Sequence, residues 1–481
     1  MIKAIKGIIF LLLVTLPAAV SAGNKLTIVH INDTHGQIEP VKAKDGSEYG
    51  GFARVAYVVD SLRTDARDRG SMFLFLHAGD ALQGPPISNM TGGKLDFELL
   101  NEMGLDVMVA GNHEFDFGFK NLEELVEVAD FPVISANVTD SNRVPLFEPC
   151  VEMKLGRQKL LIVGLTTRRD EIDRATGGIE IRPDTSIQEV MSTLGYGEKD
   201  VIIALTHIGH TVDSFVAERV PDVDLFVGGH SHFYTEQPLE VADALIVQAG
   251  AQTIFLGKLE ADVKKGKITD WDYELIVLSD SIPQDPVLAE KVQAEAAVID
   301  EKLGQPIGKT EVALVPGYAK ADDELSLGAL LAEMLKEETG VDFAFFNMGG
   351  VRAQIIPGDI SMKDVLTALP FQNTVVEMNL NASQVLKLLE TNIAHGEHSG
   401  GTLHLAGLSF EAEDSTAVDV KINGNPFDPD RTYKIATNNY LAGGGDSYHI
   451  LMEGSDIYDT GTAVNAMLAS YIERIGEITK P

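Results

Sequence analysis

Cysteine is nearly absent from this chain. Of 481 residues only Cys150 carries a thiol, so no intramolecular disulfide can form and stability must come from core packing. A lone thiol reads as a small buried hydrophobe, not as a reactive group. Basic residues are also scarce, with 38 Lys and Arg against 72 Asp and Glu and a formal charge of −34. A surface of that sign repels polyanions, which argues against long nucleic acids and acidic membranes as partners. A small anionic substrate then needs a local positive site, and bound metal ions are one way to supply it. No segment reaches the ~20 apolar residues that a bilayer span requires. Internal repeats and low-complexity tracts are missing as well.

What is present points to an exported, folded protein. Lys3 and Lys6 precede an apolar run at residues 8–16, followed by Pro17 and Ala18-Ala19-Val20-Ser21-Ala22. That order predicts a secretory signal cut after Ala22 and a periplasmic or secreted product. No cysteine follows the apolar run to accept a lipid. Hydrophobic residues make up 44% and charged residues 23%, as in ordinary globular chains. The length exceeds what one core usually organises, so two domains are expected.

Short apolar, β-branched runs recur at residues 26–31, 72–76, 107–110, 133–136, 160–165, 201–205, 225–227 and 245–247. Their length fits buried strands, and helical patterns at 52–63, 96–102 and 122–128 alternate with them. An Ala-, Glu- and Lys-rich helix over 283–303, starting near Pro286, connects to a second α/β pattern. There helices are expected at 325–337, 362–368, 382–392 and 464–475. Strands are expected at 343–346, 375–380, 408–412, 418–422 and 433–437. The expected division is a signal at 1–22, a first domain at 23–282, a linker helix at 283–306 and a second domain at 307–481.

Metal-ligand residue types gather where the expected strands end. The first strand runs into Asn32-Asp33-Thr34-His35, and the second into Gly79-Asp80. Others end at Gly111-Asn112-His113-Glu114-Phe115-Asp116, at Thr206-His207, and at Gly228-Gly229-His230-Ser231-His232. Loops from separate strands converge at the carboxyl edge of an open α/β sheet, where sites assemble. Carboxylate, imidazole and amide oxygen together suit divalent ions such as Mn²⁺, Zn²⁺, Fe²⁺, Co²⁺ or Mg²⁺. Two such ions roughly 3.5–4 Å apart can clamp a phosphoryl oxygen and generate a hydroxide. Asp80, alone on its strand end, is the candidate to bridge them. Any one of these residues alone is more often structural; the five-part order is what carries the signal.

These motifs resemble the calcineurin-like metallophosphoesterase signature. Asn347-Met348-Gly349-Gly350-Val351-Arg352, Pro370-Phe371-Gln372-Asn373 and Gly443-Gly444-Gly445-Asp446 resemble the C-terminal domain of the bacterial 5'-nucleotidase/UDP-sugar hydrolase family. The resemblance implies a four-layer α/β/β/α sandwich followed by a smaller α/β substrate-binding domain, with the halves rotating about the linker helix. It implies that Asp33, His35, Asp80 and His232 hold one metal, and Asp80, Asn112, His207 and His230 the other. His113 and Asp116 match the catalytic dyad. Asn347 and Arg352 match substrate contacts, Phe371 and Tyr440 a pair that sandwiches the base, and Asp446 a ribose ligand. Asn373 is placed near the base edge.

One departure stands out against that pattern. Relatives carry one or two phosphate-holding arginines where this chain reads Gly317-Tyr318-Ala319-Lys320-Ala321-Asp322-Asp323. The reading that follows is hydrolysis of nucleotides: 5'-monophosphates, UDP-sugars or cyclic nucleotides. A thiosulfohydrolase of sulfur oxidation is the alternative enzyme, and a non-catalytic nucleotide-binding surface protein the alternative class. The intact run from Asn112 to Asp116 argues against both.

Overall fold

The computed structural model describes residues 24–139, 145–167, 180–181, 187–197, 200–397 and 399–480. The expected signal at 1–22 lies outside them. Among the described residues no helix is long and apolar enough to cross a membrane. The chain forms two compact units, which part after residue 294, inside the helix Pro286–Leu303.

Side chains along a strand point alternately to opposite faces, and the first unit uses both. One six-stranded sheet runs Lys267–Val277, Phe255–Lys264, Lys25–Ile31, Met72–His77, Val107–Val109, Val133–Ile134. Its last four strands are parallel, and the Phe255–Lys264 and Lys267–Val277 hairpin adds antiparallel to Lys25–Ile31. The other sheet runs Leu239–Val241, Ala244–Val247, Leu225–Gly228, Val201–His207, Gln158–Thr166, Cys150–Leu155. Leu26, Ile28, Leu74 and Leu76 of the first sheet share one core with Leu160, Ile162, Ile203 and Val227 of the second. The alternate residues Leu161, Val163, Ile202 and Phe226 pack outward with Ile187 and Met191 of helix Ile187–Leu194 and Ala217 of helix His210–Ala217. Helix Phe52–Asp68 covers the outer face of the first sheet at Met72–His77. Four layers result, helix, sheet, sheet, helix.

The second unit centres on a five-stranded sheet ordered Leu403–Ala406, Phe343–Asn347, Thr432–Asn438, Thr374–Asn381, Ser455–Ala463. Helices Leu327–Thr339, Met362–Ala368 and Val464–Ile475 pack on one side and Ala382–His395 on the other. The helix expected at 325–337 begins at Leu327, because Glu324–Ser326 pairs in parallel with Ala313–Val315. Ser326 then caps it, its hydroxyl accepting from the Ala329 N–H at 3.3 Å. The Phe255–Val277 hairpin was not expected, since Lys258, Glu260 and Asp262 break its apolar run. Cys150 is half-buried against the outer core of the second sheet, and burial pushes its thiol up to about 12.

Two carboxylates tie neighbouring strands at the edge opposite the motif loops. Asp106 accepts from the Phe75 N–H at 2.7 Å, and Asp224 from the Ile202 N–H at 3.0 Å. Burial pushes each up to about 6. A carboxyl with a raised folded pKa binds its proton more tightly folded than unfolded, so stability rises as pH falls through that value. In chelator, the melting temperature of wild type should therefore gain on that of Asp106→Asn/Asp224→Asn between pH 7 and pH 5. Parallel pH profiles would show that these carboxyls titrate normally.

Candidate metal centre

The loops after the parallel strands bring the expected ligands into one cluster. Asp33 and His35 follow Lys25–Ile31, Asp80 follows Met72–His77, and Asn112 and His113 follow Val107–Val109. His207 closes Val201–His207, while His230 and His232 follow Leu225–Gly228. Ligand atoms of Asp33, His35 and His232 lie within 4.8 Å of one another, as do those of Asp80, His207 and His230. A third such group is His35, Asp80 and His113, so Asp80 belongs to two groups. Asp33 Oδ1 is 3.5 Å from His232 Nε2 and 4.0 Å from His207 Nε2. Asp80 Oδ2 is 3.0 Å from His207 Nε2.

The donor set fits divalent ions. Asn112 Oδ1 and His207 Nε2 are buried and make no hydrogen bond among the described residues. The 3.0 Å approach of His207 Nε2 to Asp80 is thus an ion-pair distance without hydrogen-bond alignment. Buried polar atoms rarely stay without partners, and a shared cation would satisfy both. His207 Nδ1 meanwhile donates to the Ala78 carbonyl at 2.7 Å, which leaves Nε2 as the metal-facing nitrogen.

Charge in the cluster is balanced among few groups. Burial disfavours the Asp80 anion, but His207 and His113 beside it hold its carboxyl well below the usual range. Burial, with Asp80 adding to it against His207, pushes Asp33 up to about 7. Burial lowers His207, yet Asp80 and Asp33 outweigh it and keep the ring protonated well above its ordinary value. A divalent ion must displace that proton, so binding is coupled to proton release.

Backbone geometry at the centre is unusual. Asp33, His35, Asp80, His230 and His232 all have positive φ, between 46° and 78°. Each left-handed L-residue costs roughly 1–2 kcal/mol, so surrounding bonds must hold the loops in place. The Asp33 N–H donates to the Gly79 carbonyl at 2.9 Å, and the His35 N–H to the Asp80 carbonyl at 3.0 Å. Asn32 donates to the Gly250 carbonyl at 2.7 Å and accepts from the Ala249 N–H at 2.8 Å. Gly79, with φ +83°, leaves no room for a side chain, because a Cβ there would sit 2.6 Å from His207 Nδ1.

Glu114 had no expected role, and the structure gives it one. Its buried carboxylate accepts from the N–H groups of Gly111, Asp80, Ala81 and Leu82. Four donors on one anion pin the Asp80 turn to the Asn112 loop. The signal in the sequence was an acid lodged between a ligand-type Asn112-His113 pair and Asp116, too close to both to be a surface charge.

The expected dyad is in contact: His113 Nδ1 lies 2.6 Å from Asp116 Oδ2, and His113 Nε2 3.9 Å from Asp80 Oδ2. In the second unit Asn347 Nδ2 donates to Asp446 Oδ2 at 3.0 Å, and the Tyr440 hydroxyl to Asp446 Oδ1 at 2.7 Å. The Arg352 guanidinium lies 5.8 Å from the centre of the Phe371 ring. The backbone carbonyl of Asn373 accepts from Val464, which fixes its loop.

Comparison with known proteins identifies the family and the fold. Residues 26–234 match the family model of calcineurin-like phosphoesterases, and residues 306–453 that of the 5'-nucleotidase C-terminal domain. Protein UshA of Yersinia enterocolitica is 31% identical, covering 93% of this chain and 91% of its own. Protein UshA of Escherichia coli is 30% identical, covering 94% and 91%. The crystal structure of a 5'-nucleotidase precursor from Thermus thermophilus superposes with a TM-score of 0.82 at 30% identity, covering 94% and 97%. The sulfate thiohydrolase SoxB from the same species shares the fold, with a TM-score of 0.79 at 20% identity over 97% and 96%.

Glu114→Gln tests how the turn is held. The amide replaces one acceptor oxygen with a donor facing N–H groups, and each unmet buried donor costs about 1–3 kcal/mol. The variant should melt lower and retain less Mn²⁺ after gel filtration. Full metal content with an unchanged melting temperature would show that the carboxylate does not organise the turn.

Proposed function

Because the chain belongs to the 5'-nucleotidase family of calcineurin-like phosphoesterases, and is therefore a hydrolase of phosphoric esters, we propose that it is an exported nucleotide phosphohydrolase working through two divalent ions. The observation that supports this most is the pairing of two ligand groups, Asp33/His35/His232 and Asp80/His207/His230, beside the His113–Asp116 contact. In this reading residues 23–282 form the catalytic domain and residues 307–481 the substrate domain. Export rests on the N-terminal pattern that ends at Ala22.

Family membership implies divalent ions, and the residues here fit them. Asp33, His35, Asp80 and His232 would hold one, and Asp80, Asn112, His207 and His230 the other. When bound, such ions polarise a phosphoryl oxygen and lower the pKa of a water. Asp116 holds the His113 imidazole by Nδ1 and stabilises its positive charge. His113 Nε2, on the side of Asp80, then supports the charge that develops on the phosphoryl group or leaving oxygen. In the second domain Arg352 grips phosphate, Asn347 touches the substrate, Asp446 takes hydroxyls of the ribose, and Phe371, Tyr440 and Asn373 receive the base.

The loop without arginines narrows the substrate question. Lys320 and Ala321 donate their N–H groups to the Glu324 carboxylate at 2.7 and 3.2 Å. Asp322 is fully exposed near Lys480, at 3.5 Å, and Asp323 is 69% exposed. Solvent screens exposed charges strongly, so these acids repel phosphate only weakly. What remains is Lys320, a point charge without the bidentate fork of arginine, which lowers affinity for a phosphate dianion and leaves Arg352 as the main phosphate contact of the domain.

Three measurements test the reading. EDTA should abolish phosphate release from AMP, UDP-glucose and a 2',3'-cyclic nucleotide, and Mn²⁺ should restore it. Full activity in verified metal-free protein would end the two-ion mechanism. His113→Ala should lose about 10²–10⁴-fold in kcat with its metal retained, whereas metal loss would make His113 a ligand. Ala321→Arg should raise kcat/KM for AMP about tenfold, the worth of one charge-assisted bond near 1.5 kcal/mol. No gain for AMP, in a wild type that already prefers it, would leave the loop without a role in selectivity.

A further inference from the structure

Ser231 stands between two proposed ligands that serve different ions. His230 groups with Asp80 and His207, while His232 groups with Asp33 and His35. Any slack in this three-residue turn would change the separation of the two sites. His230 and His232 both have positive φ, 78° and 52°, so the turn does not hold itself.

Hydrogen-bond chemistry around the turn leaves one consistent pattern. Gln248 is fully buried on the loop after Ala244–Val247. Its Nε2 lies 3.0 Å from the Gly229 carbonyl, which can only accept. The amide is thereby oriented, and its Oε1, which also only accepts, lies 2.9 Å from Ser231 Oγ. The serine hydroxyl must therefore donate to Gln248. His210 Nδ1 is 2.9 Å from the same hydroxyl, so it must carry the proton and donate to Ser231. The His210 backbone N–H also points at Ser231 Oγ, at 3.4 Å, and the Gly209 N–H donates to the Gly229 carbonyl at 3.1 Å.

The helix that begins with His210 is itself anchored. Asp213 is fully buried and accepts from the Thr206 hydroxyl at 2.7 Å, one residue before His207. A Cβ on Gly228 would meet Asp213 Oδ2 at 2.5 Å, so the helix lies directly against the strand end. The His210 ring stacks on Phe233 at 4.4 Å and 20°, on the far side of His232 from Ser231 in the chain. One imidazole thus touches the residues flanking His232 on both sides.

We infer that His210, Ser231 and Gln248 form a positioning clamp, which fixes the turn between His230 and His232 and through it the separation of the two metal sites. None of the three touches an ion or the substrate in this role. The inference rests on the ligand roles proposed above for His230 and His232. Outer partners that orient ligands are typically worth about 10–100-fold in metal affinity.

The test is Mn²⁺ titration calorimetry of the full chain, with the melting temperature of the metal-free protein measured alongside. Ser231→Ala and His210→Leu should weaken Mn²⁺ binding by about 10–100-fold while the metal-free melting temperature stays at the wild-type value. Ser231→Thr, which restores the hydroxyl, and His210→Asn, whose amide places a donor where Nδ1 stood, should keep wild-type affinity. Unchanged affinity in Ser231→Ala and His210→Leu would overturn the clamp. So would weakened binding matched by a lower metal-free melting temperature and not rescued by the conservative variants, since that is the mark of a general structural role. A wild-type chain that binds no Mn²⁺ would overturn the ligand reading, and the clamp with it.

Discussion

Left-handed backbone at the strand ends is the constraint on which the centre depends. A parallel strand delivers its last side chain along the sheet, and an extended continuation would carry the next ones away from the neighbouring loop. Positive φ at Asp33, His35, Asp80, His230 and His232 turns each loop back over the sheet edge, where side chains from different strands can meet. Asp and His tolerate that region better than most L-residues but still pay for it. Strain of this kind survives only where surrounding structure over-determines it. Here Glu114 holds the Asp80 turn through four N–H groups, Asn32 ties the Asp33 loop to Ala249 and Gly250, and the Asp33 carboxylate receives the His230 N–H.

The holding groups form a hierarchy set by charge. Where the strained residue is an anion, as at Asp80, the anchor is another anion that binds only backbone donors, and burial pushes that Glu114 carboxyl up to about 7. Where the turn carries imidazoles, the anchors are the neutral amide Gln248 and hydroxyl Ser231. Neutral anchors add no like charge beside groups that must accept a cation, and they do not compete for it. The −34 of the whole chain acts at longer range and in the same sense, and would draw divalent ions toward the proposed centre.

Much of this was legible before any coordinates. The eight apolar runs of the first half became strands because β-branched residues buried on both faces leave little alternative, as at residues 201–205, where every side chain is buried. The ligand cluster was legible because its residue types sit immediately after those runs. Hidden were features that depend on partners remote in sequence. Phe255–Lys264 mostly alternates buried and half-buried positions, so its charged outward residues masked a strand held between Lys25–Ile31 and Lys267–Val277. Glu324–Ser326 has too few residues to announce itself and exists because Ala313–Val315 lies beside it. Gln248 carries no motif at all, and Glu114 lies inside one without a ligand's role; what each does follows from the backbone groups it meets in the fold.

The second unit repeats the logic of the first with different chemistry. Asp446 also has positive φ, 50°, and it too is over-determined. Its carboxylate accepts from Asn347 and Tyr440, its carbonyl lies 2.7 Å from His395 Nε2, and Asn438 in turn donates to Asn347 at 3.0 Å. These partners, unlike an arginine pair, bring little positive charge. Under the proposed function, such a network would read hydroxyl groups and ring faces through geometry and leave the attraction for phosphate within this unit mainly to Arg352. Under that reading selectivity among nucleotides would fall mainly on the ribose and base, and the number of phosphate charges would matter less than beside a pair of arginines. That reading follows from the Asn and Tyr partners of Asp446 together with the lack of arginine at residues 317–323, and neither observation alone implies it.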